Sequence, residues 1–442
     1  MINQYDIAYG LAVGVSSPLW LSRGKTRRKF LQAFNQRMGR VAGRDLSKPA
    51  VMIHAVSLGE INATRSLIDT LRRMRPGLQF IVSVTTDTGF ARGTELYGLQ
   101  QDVSLVRYPL DFTSAVDRLL TTLRPDVVAL MELEMWPNFI HRCASFGVPV
   151  LLINGRITPK SHRKYKMFRA VLGSMFRQLS QVCVQDDVYA RRFAEVGVPE
   201  NRISVTGTMK FDTAPITERV DGQEELVAAV GLTPGAGKIW VCGSTGPGEE
   251  KIILPIYRNL LAKFPDLQLA IIPRKPERFD EVAQIIAEAG FAVVRRSRPQ
   301  IPAGKEPRVV LGDTMGELRK FYALADIVFV GRTLVDLGDS QHGSDMIEPA
   351  ALARPVIVGP FTANFAEPMG RFLAEQAMEV VPDARGLESV VLQLIEDSAT
   401  AASMGARARQ VVRAHQGATD RHARIILAAL DQRKSPTRGK TS

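Results

Sequence analysis

The sequence predicts an α/β protein built from two doubly wound parallel-sheet domains of similar size. Short β-branched runs alternate with amphipathic helical stretches, the pattern of parallel strands covered on both faces. The alternating set occurs twice, and a polar, Gly- and Pro-bearing stretch separates the two copies. In the first half the expected strands are AVMIHAV (50–56), FIVSVTT (80–86), VSLVRYP (103–109), DVVALME (126–132), VPVLLIN (148–154) and QVCVQ (181–185). In the second half they are IWVCGS (239–244), LQLAIIP (267–273), FAVVR (291–295), RVVLGD (308–313), DIVFVG (326–331) and PVIVGP (355–360). After the first strand, INATRSLIDTLRRM sets Ile61, Leu67, Ile68, Leu71 and Met74 on one helical stripe. Residues 211–238 read as the linker, with one short helical patch, and 386–431 as C-terminal helices.

Composition bounds the function classes. The 442-residue chain is 45% hydrophobic and 23% charged, which suits two or three globular domains. Its three cysteines are isolated and its six histidines include no HExxH pair, so neither a disulfide framework nor a structural metal is expected. The net charge of +12 is clustered: residues 21–44 carry eight Lys or Arg and no acid, 160–169 carry five, and the tail RKSPTRGKTS adds four. Such clusters suit nucleic acid, anionic lipid or a phosphorylated substrate, or are simply a solvated basic face. The apolar run 5–21 holds Asp6, Ser16, Ser17 and Pro18, is short for a bilayer span, and precedes its basic residues, so it is not a cleaved signal. It reads either as a monotopic anchor or as a helix docked on the protein's own core.

In open α/β sheets, ligands sit beyond the carboxyl ends of the strands. Seven strand-to-helix junctions there are rich in polar groups. In HAVSLGE (54–60), Ser57-x-x-Glu60 is a capping box by pattern. Glu60 nevertheless shares the inward stripe with Leu67 and Leu71, and partial burial would raise its pKa toward that of a general base. In MELEMWPN (131–138), Glu132 and Glu134 point to opposite sides if the strand continues, so at most one faces a cleft. Lys210, in TGTMKFD (206–212), falls near the domain boundary, where a surface lysine is the simpler reading. GSTGPGEE (243–250) has the small residues and helix start of an anion site, but it is neither a Walker A loop nor a dinucleotide fingerprint, and Glu249 and Glu250 would oppose a phosphate. IIPRKPERF (271–279) clusters Arg274, Lys275 and Arg278 at a strand end, a setting for phosphate or carboxylate. GDTMGEL (312–318) and HGSDMIEPAA (342–351) are again capping-box-like, through Thr314 and Glu317 and through Asp345 and Glu348.

Taken in order and spacing, these junctions resemble the 3-deoxy-D-manno-octulosonic acid (Kdo) transferases of lipopolysaccharide biosynthesis. The motifs that carry the resemblance are HAVSLGE, TTDTG, MELEMWPN, NGRIT, GTMKFD, STGPGEE, PRKPERF, GDTMGEL, YALADIVFVG, EPAALARPVIVGP and Asn364-Phe365, and they cover most of the chain. The resemblance implies a GT-B architecture, two Rossmann-like domains facing across a cleft. It assigns residues 1–45 to a membrane-associating segment, 46–210 to the acceptor domain, 211–238 to the linker, 239–385 to the CMP-Kdo domain, 386–431 to helices and 432–442 to a basic tail.

The implied reaction is inverting transfer of Kdo from CMP-Kdo to the lipid A precursor (lipid IVA). Glu60 would be the proton acceptor, with Glu132 and Lys210 as transition-state stabilisers. The matched CMP-contacting positions are Pro273, Arg274, Met315, Gly316, Glu317, Asp345, Met346, Ile347 and Glu348, with Ser244 and Thr245 as additional donor contacts. CMP departs as a monophosphate, so no metal-bridged diphosphate and no cofactor are implied. The implied partners are CMP-Kdo, the lipid A precursor and the anionic lipid surface of the inner membrane. Nucleic acid is not among them, since aromatic residues are sparse in the basic clusters. The implied location is the cytoplasmic face of the inner membrane, through an N-terminal single-pass or monotopic anchor. Two departures from the family pattern stand out. His342-Gly343-Ser344-Asp345 replaces a usual Gly-Gly-His-Asn, and Arg332-Thr333 replaces small residues of Gly-Ser type. The alternatives are another GT-B transferase using a UDP- or GDP-sugar, a sugar-nucleotide epimerase on the same fold, and a non-enzymatic membrane-binding module.

Overall fold

The computed structural model describes residues 3–21, 33–301, 306–338 and 342–434; the basic run 22–32 and most of the basic tail lie outside the described residues. The chain forms two compact units, one comprising the sequence up to Asp212 and again from Gln416, the other Thr213–His415.

The first unit is built on seven parallel strands: β1 (Ala50–Ala55), β2 (Gln79–Val84), β3 (Val103–Arg107), β4 (Val127–Met131), β5 (Val150–Gly155), β6 (Gln181–Val184) and β7 (Ile203–Val205). Their spatial order is β3-β2-β1-β4-β5-β6-β7, with Ile53 of β1 set against Val82 on one side and Ala129 on the other. The second unit repeats the plan with β8 (Ile239–Thr245), β9 (Gln268–Pro273), β10 (Ala292–Arg295), β11 (Arg308–Leu311), β12 (Ile327–Val330), β13 (Val356–Val358) and β14 (Glu379–Val380), in the order β10-β11-β9-β8-β12-β13-β14. Each sheet therefore has one strand more than the hydrophobic pattern revealed. The extra ones, β7 and β14, are edge strands of three and two residues that stay partly or fully exposed, so no apolar run marks them.

Both sheets reverse direction of winding beside their first strand, between β1 and β4 and between β8 and β12. Loops leaving two such strands diverge to opposite faces, and the crevice between them is where open α/β sheets hold ligands. The helices keep these loops in place. Ile61, Leu67, Ile68 and Leu71 of the helix Leu58–Met74 are fully buried on the first sheet, each contributing roughly 1.5–3 kcal/mol of apolar burial. The helical pattern after residue 386 divides between the units: the last helix, Ala418–Lys434, packs Ile426 and Leu430 into the same core as Leu67 and Leu71. Asp212 accepts the amides of Gly417 and Thr419 at 2.6 Å each, tying the two crossings of the chain together. His422 fastens the returning helix: its Nε2 accepts the Asn154 amide at 2.9 Å and its Nδ1 faces the Ala418 carbonyl. Burial holds this imidazole down to about 4, so the ring is neutral with its proton on Nδ1.

The N-terminal helix, Gln4–Leu21, is docked by its first turn. The buried Asp6 carboxylate accepts from the Thr113 amide and hydroxyl at 2.7 Å each, and Asn3 Nδ2 donates to Asn138 at 2.8 Å. Among the described residues no helix is long and apolar enough to cross a membrane.

Candidate active site

The crevice of the first sheet is lined by carboxylates. Beyond β1, Ser57 caps the helix with extended backbone and accepts the Glu60 amide at 3.2 Å. The Glu60 side chain folds back: Oε2 accepts the Val56 amide at 2.9 Å, and Oε1 accepts the Ser57 hydroxyl at 2.8 Å and the Ser57 amide at 3.3 Å. The capping box is therefore formed, and Glu60 is buried, 9% exposed. Burial pushes its carboxyl above the usual carboxylate range. The Val56 and Ser57 hydrogen bonds pull it back, while Glu132 and Glu134 push it up again. Thr86, in TTDTG, donates its hydroxyl to the Val56 carbonyl at 2.7 Å and so fixes this loop to the next one.

Beyond β4, the expected alternation of Glu132 and Glu134 fails. The strand stops at Met131 and Glu132 takes a left-handed backbone, φ 54°, which breaks the period of two. Both carboxylates consequently act on Glu60. Glu132 Oε2 accepts from Arg156 Nε at 2.7 Å. Glu134 Oε2 accepts from the Trp136 indole at 3.0 Å and lies 3.8 Å from Nε2 of the buried His54. Burial opposes ionisation of Glu134, but the His54 ring and the indole outweigh it and hold the carboxyl below its usual range. His54 is itself stacked on Tyr108, with ring centroids 3.9 Å apart, and directs Nδ1 at the Ser83 carbonyl at 3.1 Å. Among the described residues, Glu132 has a guanidinium and Glu134 an imidazole, whereas Glu60 accepts only from neutral donors.

Lys210 sits in the 3-10 turn Met209–Thr213, half-buried in the same unit. The turn is held against β5 by the Met209 amide, which donates to Asn154 Oδ1 at 3.1 Å; Asn154 is another left-handed residue, φ 51°.

In the second unit the corresponding crevice is formed by the GSTGPGEE loop after β8 and residues 331–335 after β12. The sequence suggested that Glu249 and Glu250 would repel a phosphate here; both instead turn inward and are fully buried. Glu249 accepts four amides: Gly246 at 2.8 Å and Arg332 at 2.7 Å on Oε2, Thr333 at 2.9 Å and Leu334 at 3.0 Å on Oε1. Glu250 takes the Arg278 guanidinium on both oxygens, at 2.8 and 3.0 Å, and the Thr245 hydroxyl at 2.7 Å. Arg278 thus leaves the expected anion-binding cluster and becomes a buried partner of Glu250 and Glu281. Gly331 permits this closeness: a side chain there would begin 2.6 Å from Thr245 Cα and 2.7 Å from Glu249.

Around this crevice lie the other expected donor positions. Pro273 ends β9, and the Arg274 amide donates to the Thr245 carbonyl at 3.0 Å, leaving the Arg274 side chain exposed. Ser244 is buried in a left-handed backbone, φ 57°. Met315 is 64% exposed and Gly316 has open space on its side-chain face. Glu317 accepts from Thr314 at 2.5 Å, Arg296 at 3.0 Å and Lys320 at 3.1 Å. Burial works against its ionisation, and these three partners overcome it, holding the carboxyl down to about 2. Asp345 Oδ1 accepts the Ile347 amide at 2.8 Å, but the N-cap of the short helix Ile347–Ala351 is Met346, without a side-chain cap, so the capping box expected of Asp345 and Glu348 is not formed. Met346 and Ile347 put their side chains wholly in the core, which leaves only their main chain for a ligand. Glu348 is half-buried; burial and then the Asp345 carboxylate push it up to about 7, against the pull of Arg319 and Arg274. A surface concavity of about 320 Å³ lined by Leu232, Tyr257, Asp266 and Arg308 lies at the amino-terminal end of this sheet and holds none of these residues.

His54 and Arg156 were not singled out as site residues in the sequence, although HAVSLGE and NGRIT contain them. The signal available was position alone: Arg156 follows β5 directly, and His54 lies inside the first strand.

Two doubly wound units with parallel seven-stranded sheets, each with polar loops at its winding reversal, define a protein of the GT-B fold. The backbone is similar to the UDP-GlcNAc 2-epimerase of Neisseria meningitidis (TM-score 0.56, 13% identity, 87% of this chain and 100% of that one) and to a Rickettsia africae glycosyltransferase (TM-score 0.55, 12% identity, 88% of this chain and 100% of that one), likenesses that show the fold alone. At the level of sequence, residues 32–213 match the family model of the 3-deoxy-D-manno-octulosonic-acid transferases (kdotransferases). The chain is 32% identical to the 3-deoxy-D-manno-octulosonic acid transferase of Haemophilus influenzae over 91% of its own length and 93% of that protein's, and 34% identical to that of Bordetella pertussis over 93% and 96%. The chain belongs to the Kdo transferase family, glycosyltransferases of lipopolysaccharide synthesis.

Proposed function

We propose that the chain transfers Kdo from CMP-Kdo to the lipid A precursor, lipid IVA, with inversion at the anomeric carbon and Glu60 as the general base. The observation that supports Glu60 in this role is a contrast of partners: Glu132 has a guanidinium and Glu134 an imidazole, whereas among the described residues Glu60 accepts only from neutral donors. Burial raises Glu60, which has only neutral donors, while Glu134 is lowered by its partners. Carboxylates whose surroundings push their pKa values apart are the pattern of divided acid–base roles.

In the capped rotamer the Glu60 carboxylate is engaged by its own loop, so it acts by turning out of the cap. It then takes the proton of the acceptor hydroxyl as that oxygen bonds to the anomeric carbon and the bond to the CMP phosphate oxygen breaks. Glu132, aligned by Arg156, faces the positive charge that develops on the sugar, and Lys210 the negative charge that develops on the departing phosphate. The donor lies over Pro273, Arg274 and the 315–317 and 345–348 segments, with Ser244 and Thr245 beside it. Glu317 is kept ionised by its cations and accepts from ribose hydroxyls; Met346 and Ile347 contribute main-chain groups. No cofactor is needed for these steps.

The enzyme works at the cytoplasmic face of the inner membrane as a monotopic protein. Two exposed apolar residues, Met167 and Phe168, lie among the basic residues of 160–169 and a third, Val171, just beyond them, where Tyr5 donates its hydroxyl to the Val171 carbonyl at 3.1 Å. The exposed Ile7 and Leu11 of the N-terminal helix belong to the same unit. Apolar side chains ringed by cations suit an anionic lipid surface. The deciding experiment is mass spectrometry of the product formed from CMP-Kdo and a tetraacyl lipid A precursor. Addition of Kdo is expected; absence of product, together with preferential binding of UDP or GDP over CMP, overturns the reading.

A further inference from the structure

Arg332 stands at the winding reversal of the second sheet in a conformation that arginine rarely adopts. Its φ of 61° is left-handed, a backbone that favours glycine, and strain of this kind persists where the surroundings hold it. Here they do: the Arg332 amide donates to Glu249, and its carbonyl accepts the Gly343 amide at 2.7 Å. The side chain lies directly over the loop after β8, its Cγ 2.9 Å from where a side chain on Gly246 would begin. Arg274 is anchored to the same loop through its amide on Thr245. The loop's own carboxylates are consumed, Glu249 by four amides and Glu250 by Arg278. Among the described residues neither Arg332 nor Arg274 has a carboxylate within ion-pair distance. Burial, and then the nearby Arg274 charge, depress the Arg332 pKa against the pull of Glu249. Ser344, one residue beyond Gly343, is buried, and among the described residues its hydroxyl has no hydrogen-bond partner. Glu249 is the acid that acts on Arg332, while Glu348, raised to about 7 by burial and Asp345, is pulled down by Arg319 and Arg274.

We propose that Arg332 is a donor-binding residue, forming with Arg274 a paired-guanidinium seat for an anionic group of the sugar nucleotide. The inference rests on the donor being CMP-Kdo, which carries two such groups, the phosphodiester and the sugar carboxylate. A guanidinium meets either with two parallel N–H donors.

The test compares wild type with Arg332→Gly, which suits the left-handed backbone, and Arg332→Lys, which keeps the charge. Calorimetry is run with CMP, UDP and GDP, and KM is measured for CMP-Kdo. Arg332→Gly is expected to melt no lower than wild type and to lose tenfold or more in KM, with Arg332→Lys between the two. A parallel tenfold loss of CMP affinity identifies the phosphate as the seated group; unchanged CMP affinity with raised KM identifies the sugar carboxylate. If Arg332→Gly keeps both the nucleotide affinity and KM within twofold of wild type, the inference is overturned. Wild-type preference for UDP or GDP overturns the CMP-Kdo reading instead, and the Arg332→Gly comparison is then made with the preferred nucleotide.

Discussion

The two units place a glutamate at the same point of the same topology and use it in opposite ways. Glu60 and Glu249 both stand in the first turn of the helix that follows the first strand of their sheet, beside the winding reversal. Glu249 reaches across the reversal and is gripped by four amides, three of them from the loop after β12. Among the described residues, Glu60 accepts only from Val56 and Ser57, residues of its own loop. A carboxylate that joins two loops is part of the frame. One that merely rests on its own loop can leave it at the cost of a cap. The crevice near Glu249 has Arg332 and Arg274 beside it, and that near Glu60 has Glu132 and Glu134; on the proposed reading the first seats the anionic donor and the second transfers the proton.

The largest effect expected from breaking this contrast is on transfer. Glu60→Gln loses the base and sets a side-chain nitrogen against the Val56 or Ser57 amide, which costs about 1 kcal/mol of the cap, and initial rates should fall by roughly 10²–10⁴-fold while CMP affinity stays near wild type. Full-rate transfer by Glu60→Gln would return Glu60 to being a helix cap only. At Glu249 the same substitution should act on folding instead. An amide nitrogen would face N–H donors, and a buried charge-assisted set would be lost, destabilising the second unit by about 3–5 kcal/mol in urea unfolding. A loss below about 1 kcal/mol would mean that the four amides find other acceptors.

How much of this could be read from the sequence divides along the same line. The long strands, the doubled plan and the inward stripe of Leu58–Met74 were legible because burial on a sheet imposes its own periodicity. The edge strands β7 and β14 were not, because two or three half-exposed residues carry none. Glu60 was legible as both cap and inward-facing acid, since both properties are local. Glu249, Glu250 and Arg278 were misjudged as groups facing a ligand because their partners come from elsewhere in the chain; Leu334 is 85 residues beyond Glu249. The alternation of Glu132 and Glu134 failed for a third reason. Alternation assumes the strand continues, and a left-handed residue at its end redirects everything that follows.

The pH dependence sharpens the comparison in the next smaller range. Burial raises Glu60 above its unfolded value, so the folded state favours its neutral form. The stability this lends is complete below the unfolded pKa and is lost as pH rises through the folded one. Transfer runs the other way, falling about tenfold per pH unit on the acid side of that pKa, because the base must be ionised. Glu317, held down to about 2, gives the opposite stability profile: its contribution is present above the ordinary glutamate value and lost as pH falls toward 2. Rate profiles of wild type and unfolding profiles of wild type, Glu60→Gln and Glu317→Gln measure these slopes. A rate that is flat through the acid range would remove Glu60 as the titrating base.

The smallest effect tests whether the cap of Glu60 is a latch. Ser57 holds the Glu60 carboxylate with its hydroxyl at 2.8 Å and the Glu60 amide with the same oxygen at 3.2 Å. Ser57→Ala removes both contacts and should cost about 1 kcal/mol of stability, the usual worth of a serine cap. If Glu60 must leave the cap to reach the acceptor, the same substitution also lowers the cost of leaving, and kcat should hold or rise slightly while the melting temperature falls. If the carboxylate instead works from its capped position, Ser57→Ala disorders it, and kcat falls together with stability. Measuring kcat and melting temperature on the one variant therefore separates a base that moves from a base that is held.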